Sequence, residues 1–315
     1  MKPLIPTLTV SPPPFAHCGK TVKKRMRAIL LAMLPAAALA VYHFGMDALR
    51  VMTLATATAV IAEFISDIVM GRTSQVDDMH AFTVGLGFAF LLPASAPWWL
   101  VVFGSTTSIV LGKMMFGGLG GSPLCAPLVG WAVCSLSWAS HMDIDAAMLT
   151  SELNYPLSQL KHFGAQSIAG FSLNDLLVGR QLGGLGAIQT GALFIGGIFL
   201  TMRKHIKVAI PVGMLAGVLI TAGIFHAADP QKYAPAMFHL LTGSIIFGAF
   251  FLATDSSSSP MRKIPALLYG LLAGVLVIII RVYGVYPDGV PYAILLANLT
   301  SPLLDRIKPK PFGRN

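Results

Sequence analysis

Charge is the first thing this sequence lacks. Only 35 of its 315 residues are Asp, Glu, Lys or Arg, or 11%, against 55% hydrophobic residues and a mean hydropathy of +0.73. Soluble domains carry about 25% charged residues, so a soluble fold is excluded and a membrane protein is expected. Cysteine is scarce too. Cys18, Cys125 and Cys134 are odd in number and form no CxxC pair, which argues against a disulfide framework or an all-cysteine metal site. No secretory signal is visible: residues 1–19 are rich in proline and the first apolar run opens near Ala28, so the N-terminus is expected to be kept. The formal charge of +9 comes without any basic and aromatic motif for nucleic acid, and no such partner is expected.

Long apolar runs are abundant. A span of roughly 30 Å needs about 20 residues of helix, and runs near that length lie at about 28–44, 48–70, 97–115, 123–140, 186–202, 208–226, 236–253, 264–283 and 288–304. A tenth, from His80 to Leu92, is short and stopped by Pro93, so it is a truncated helix or a half-helix completed by surrounding protein. The expected fold is an all-α membrane protein with about ten transmembrane helices in two inverted five-helix halves. Its parts are an N-terminal segment (1–27), a first half (28–140), an outer-face loop (141–185), a second half (186–304) and a tail (305–315).

Basic residues concentrate on the cytoplasmic side of membrane proteins. With both termini cytoplasmic and ten crossings, seventeen of the 22 Lys and Arg fall inside, Arg72 and Lys113 among them. Arg50, Lys161, Arg180, Lys232 and Arg281 remain outside. The hydrophilic stretch 141–185 then lies on the outer face, with Asp143, Asp145, Glu152 and Asp175.

The third and eighth segments share a pattern. His80 and His239 each precede a Thr, then Gly, then an aromatic-rich run, and five segments separate them. An odd number per half makes the halves inverted, and inverted repeats place ligand or ion paths at their interface. Chance similarity between apolar stretches is the plainer alternative.

Few residues are suited to chemistry. Glu63 and Asp67 stand four apart on one helix face, as a cation or proton station or as carboxylates near the inner headgroups neutralised by Arg72. Gly117-Gly118-Leu119-Gly120-Gly121 permits close approach of a flat ligand or a phosphate, or simply tight helix packing. It lacks the Gly-Lys-Ser/Thr of a phosphate loop. Thr254 and Asp255, before four serines and Pro260, can present hydroxyls and a carboxylate at a helix end. His80 and His239 are candidates for a proton relay or are packing residues.

Together these landmarks resemble the D subunit of the Rnf complex, an ion-translocating oxidoreductase of bacteria, and more distantly the B subunit of the sodium-pumping NADH:quinone reductase. The resemblance runs from about Arg27 to Arg306. It is carried by Leu111-Gly112-Lys113 through Gly120, Phe238 to Gly243, Gly248 to Asp255 with Ser259-Pro260-Met261, Tyr286 to Val290, Ala293 to Asn298 and Pro302 to Arg306. It implies a multi-pass inner-membrane protein working with Rnf subunits A, B, C, E and G between ferredoxin and NAD, coupled to sodium or proton movement. Such a chain is one part of a complex rather than a self-sufficient enzyme. The resemblance also implies flavin, as an FMN esterified to Thr in an outer Ser-Gly-Ala-Thr motif before Pro-Leu and a second, non-covalent flavin nearer the inner side.

Two departures bear on that flavin. Aligned on Pro156-Leu157, the motif is replaced by Glu152-Leu153-Asn154-Tyr155, which puts the covalent link in doubt. After the glycines, two Asn and an Arg expected from relatives are missing, and Ser122 and Trp131 are the candidate substitutes. Cofactor contacts are thus expected at Tyr155, Gly117, Gly118, Gly120, Ser122, Thr254 and Asp255, and an ion path at Glu63, Asp67, His80 and His239. A channel or secondary transporter for a small polar solute is the rival reading, since inverted halves also build those.

Overall fold

A computed structural model of the chain describes residues 21–72, 76–142 and 155–307. Among these residues it is all helix and loop, without a strand. The long helices are α1 (Val22–Val69), α9 (Ala209–Ala228) and α12 (Lys263–Tyr283). Between them lie α2 (His80–Leu91), α3 (Trp98–Val110), α4 (Ala126–Ser137), α5 (Ala139–Met142), α6 (Pro156–Phe163), α7 (Leu173–Val178) and α8 (Thr190–Met202). After α9 come α10 (Ala236–Leu241) and α11 (Ile245–Phe247), and α13 (Val290–Leu304) closes the chain. Among the described residues, four stretches are long and apolar enough to cross a membrane: Val22–Val69, Trp98–Phe116, Ala209–Ala228 and Lys263–Tyr283. The chain is an all-α membrane protein.

The first two apolar runs are one 48-residue helical stretch bent at Gly45, whose φ of 64° breaks the helix and is open to glycine. It starts at Val22, ahead of the apolar run, because Thr21 caps it: the Thr21 hydroxyl accepts from the Lys24 N–H at 3.2 Å. One face is buried through small residues, Ala28, Ala32, Ala36 and Ala40, then Ala48, Ala55 and Ala59. Small faces let backbones meet where lipid provides no hydrophobic drive between helices. A Cβ at Gly85 of α2 would stand 2.7 Å from the Ala55 carbonyl, and one at Gly196 of α8 would stand 2.3 Å from that of Ala32. In the second half, α9 and α12 meet Gly to Gly: Gly213 and Gly217 face Gly270 and Gly274, with would-be Cβ atoms 2.2–2.5 Å from backbone carbonyls. Hydroxyls inside the helices bond back to the preceding turn, as Thr56 does to the Met52 carbonyl at 2.8 Å, so they bring no unsatisfied donor into the apolar region.

The short third segment is a 12-residue helix, α2, completed by other parts of the chain. Leu185 N–H donates to the Leu92 carbonyl at 2.8 Å, and Ala187 N–H to that of Phe90 at 3.2 Å. The eighth segment departs from its reading as a continuous span. It is α10, a break at Thr242–Ser244, the single turn α11 and a π-turn over Gly248–Leu252. Gly243, at φ 69°, turns the chain there.

The two segments run in opposite directions. The start of α2, His80, and the end of the eighth segment, Asp255, line one cavity. The end of α2 and the end of α10 both bond to residues 181–190: Leu185 and Ala187 on one side, and Gln181 Nε2 and Thr190 Oγ1 on the Leu241 carbonyl (3.3 and 3.1 Å) on the other. Phe90 and Phe247 touch between them, with centroids 5.5 Å apart.

Candidate functional site

One cavity gathers His80, Ser122, Thr254 and Asp255, four of the residues expected to act. The start of α2 supplies His80, the loop before α4 supplies Ser122, and the π-turn delivers Thr254 and Asp255. Phe247, Phe250, Phe251, Met26 and Met33 make the walls apolar, and Arg25 adds a cation. Asp255 is held by its own serines: Ser257 and Ser258 hydroxyls donate to Oδ2 at 2.6 and 3.2 Å. Thr254 is less available than expected, because its hydroxyl donates to the Phe250 carbonyl at 2.6 Å. His80 is buried, and its Nδ1 has no hydrogen-bond partner among the described residues. The site is therefore apolar-walled with a polar edge and, among the described residues, two orphaned nitrogens, His80 Nδ1 and Arg25 Nε, the pattern of a small-molecule pocket.

The glycine turn lies beside a neighbouring hollow rather than packing helices. Gly117, Gly118 and Gly120 have φ of 96°, 101° and 90°, a region L side chains avoid, and the Cβ positions of Gly117 and Gly120 meet nothing within 4 Å. The tight-packing reading fails at these positions; the turn needs glycine for its backbone. Leu119 and Gly120 line a second hollow with Arg25, Met26, Ser256 and Ser257, all four of which also line the first. Arg72 does not serve Glu63 as expected: its Nη1 donates to the Gly117 carbonyl at 2.9 Å and ties the turn to the end of α1.

Glu63 is neutralised by a residue read from sequence as an inner-loop cation. Lys113 is fully buried, and its Nζ lies 2.5 Å from Glu63 Oε1, with side chains 1% and 0% exposed. Asp78 Oδ2 stands 4.0 Å from the same ammonium, and Asp78 Oδ1 accepts from the His80 N–H at 2.7 Å. The lysine is carried inward because the helix ends at Val110 and the chain turns over Leu111–Lys113, which leaves Leu111 exposed and buries Gly112 and Lys113. Glu63 Oε2 has no hydrogen-bond partner among the described residues. Asp67 is also buried, 2% exposed.

His239 is at the other end of the fold from His80, so the two histidines do not form one relay. The break after α10 is held by Arg281, assigned by sequence to an outer loop but 6% exposed. Its guanidinium donates to the His239 and Thr242 carbonyls, each at 2.9 Å, and to Asp288 Oδ1 at 3.1 Å. Asp288 Oδ2 accepts from the Ser244 N–H and hydroxyl at 2.9 and 2.5 Å. Carbonyls and N–H groups freed by the break are thereby satisfied, as an apolar surround demands.

Tyr155 is also at this end, as the residue before α6, and is 4% exposed. It lines a hollow with Trp131, Ser135, Tyr286 and Asp288. Trp131 packs edge-on to Tyr292 at 5.0 Å, so it stands beside Tyr155 and cannot stack near the glycine turn. Glu152–Asn154 lie outside the described residues, as do Asp143 and Asp145.

Comparison with known proteins places this arrangement. The pattern of the NQR2, RnfD, RnfE family matches residues 9–313. The chain belongs to that family. It is 34% identical over 342 residues to the D subunit of the ion-translocating oxidoreductase complex of Pectobacterium carotovorum, covering 95% of this chain and 97% of that one. It is 34% identical over 320 residues to the D subunit of the proton-translocating ferredoxin:NAD(+) oxidoreductase complex of Clostridium ljungdahlii (97% and 96% covered). It is 35% identical over 304 residues to the Na(+)-translocating counterpart of Acetobacterium woodii (95% and 93%). As an NQR2, RnfD, RnfE member, the chain matches the family over nearly its whole length.

Proposed function

We propose that this chain is the membrane-embedded D subunit of an Rnf-type complex that couples electron transfer between ferredoxin and NAD to sodium or proton movement. Its partners are then the other Rnf subunits, A, B, C, E and G, in a bacterial inner membrane, with both termini cytoplasmic and the Asp255 end of the fold inward. The opposed directions of α2 and the α10–π segment support two inverted halves as its origin. The observation that carries the functional reading is similarity over nearly the whole length to the D subunits of complexes named for proton and for sodium translocation.

The side chains lining the cavity between α2 and the π-turn suit a non-covalent flavin. Phe250 and Phe251 suit the flat ring, the orphaned His80 Nδ1 and Ser122 suit its hydrogen-bonding edge, and Arg25 suits a phosphate. A flavin bound there supplies one-electron and hydride-level redox chemistry. This chain's part is to orient the ring, exclude water with aromatic walls and hold Asp255 in place through Ser257 and Ser258. A covalent FMN at Tyr155 does not fit: the phenol is 4% exposed and starts α6 in place of the small-residue motif.

For the ion path, Glu63 carries the reading, with Lys113 as a tethered cation that a mobile ion must displace or share. In inverted vesicles of cells carrying the whole complex, Glu63→Gln should cut ferredoxin-driven ion uptake at least tenfold. Uptake at the wild-type level would remove Glu63 from the path.

A further inference from the structure

Positive charge is rare on the face expected to be outer, and most of it converges. Of the five basic residues assigned there, Arg50 and Arg180 are exposed and paired with Asp47 and Asp175 at 3.6 Å each. The other three, Lys161, Lys232 and Arg281, line a single cleft between α6, the turn before α10 and the end of α12. No Asp or Glu lines it among the described residues.

The charges in this cleft are unevenly balanced. Arg281 is paired with Asp288. Lys161 donates to the Gly284 carbonyl, and Lys232 lies 5.4 Å from the centroid of the Tyr233 ring. Neither lysine has a carboxylate within 4.0 Å among the described residues. Asp229, the acid nearest to Lys232 in the chain, spends its Oδ1 on the N–H groups of Gln231 and Lys232 at 3.1 and 3.3 Å. At the base of the cleft, His239 and Arg281 are 4% and 6% exposed, and His239 Nδ1 and Arg281 Nε have no hydrogen-bond partner among the described residues. Partial burial pushes the Lys161 ammonium below its ordinary pKa, the direction expected of a cation short of counter-charge.

We infer that this cleft binds the phosphate of an organic phosphate ester. Two ammonium groups without counter-charge among the described residues and two buried nitrogens orphaned among them form a donor set for phosphate oxygens, and charge-assisted bonds of this kind are the strong ones. Leu160 and Val282 line an apolar wall, and a cleft volume of about 320 Å³ exceeds what inorganic phosphate alone would fill. An anionic phospholipid headgroup and a soluble phosphate monoester share this chemistry.

The test is a thermal melt of the purified complex in neutral detergent, titrated separately with short-chain phosphatidylglycerol, glycerol 3-phosphate and short-chain phosphatidylcholine. One of the two anionic compounds should raise the melting temperature saturably: phosphatidylglycerol if the source is lipid, glycerol 3-phosphate if it is soluble. The double variant Lys161→Gln/Lys232→Gln should shift the half-saturating concentration at least tenfold. Arg50→Gln/Arg180→Gln, which removes equal charge from the same face, should shift it less than twofold. Both pairs are at the protein surface, and the unliganded melt of each variant reports folding. The inference is overturned if neither anionic compound shifts the melt, if phosphatidylcholine shifts it equally, or if the two double variants behave alike.

Discussion

At the scale of single residues, Lys113 decides most. Counting basic residues by side places it in an inner loop, because a lysine in a short junction between apolar runs is ordinarily there to meet headgroups. Its burial against Glu63 depends on the Leu111–Lys113 turn swinging under α1, a tertiary event that no local pattern records. Glu63, by contrast, was legible: a carboxylate in an apolar run needs a partner. Removing one member of a buried pair leaves the other uncompensated, so Lys113→Met should cost about 3–5 kcal/mol. Glu63→Gln/Lys113→Met should recover most of it, because no unpaired charge remains. Melting curves of the purified complex with the single and double variants check both. The glycine turn makes a second residue-scale prediction. Although the Cβ site at Gly117 is open, its φ of 96° is outside what L residues favour, so Gly117→Ala should still destabilise by about 1–2 kcal/mol.

At the scale of elements, the broken eighth segment is where sequence reading fell short. Residues 236–253 form an apolar run of spanning length without proline, so nothing in hydropathy marks an interruption. The available signals were Thr242-Gly243-Ser244 in mid-run and an Arg and an Asp seven residues apart at Arg281 and Asp288. Each is weak alone, and only the fold brings them together. Hydropathy points instead to the third segment as the broken helix, whose shortness is resolved by residues 184–188 folding back onto its end. Since Arg281 satisfies two carbonyls and one carboxylate, Arg281→Ala should lower stability by about 3–5 kcal/mol. Arg281→Lys should rescue little, because a point charge cannot serve three acceptors as the planar fork does. Comparing the two in a denaturation series separates lost charge from lost geometry.

At the scale of the whole molecule, composition alone fixed the class, and the spacing of apolar runs located most helices to within a turn. The repeated His–Thr–Gly pattern anticipated two segments that run in opposite directions. Which residues share a cavity was only half legible: His80, Ser122, Thr254 and Asp255 meet, whereas Tyr155 and His239 lie at the other end with Trp131 and Arg281. A cavity that holds flavin without a covalent bond predicts no fluorescent band near 33 kDa after the complex is denatured in SDS. Flavin should instead be released into solution, and less of it from His80→Ala.

Membership of an Rnf-type assembly is tested by tagging this chain in its native host, extracting it in mild detergent and assaying what purifies with it. Iron–sulfur and NAD-handling companions in fixed ratio, with ferredoxin-dependent NAD reduction, are the predicted result. A tagged chain that purifies alone, with no redox companions and no such activity, would contradict it.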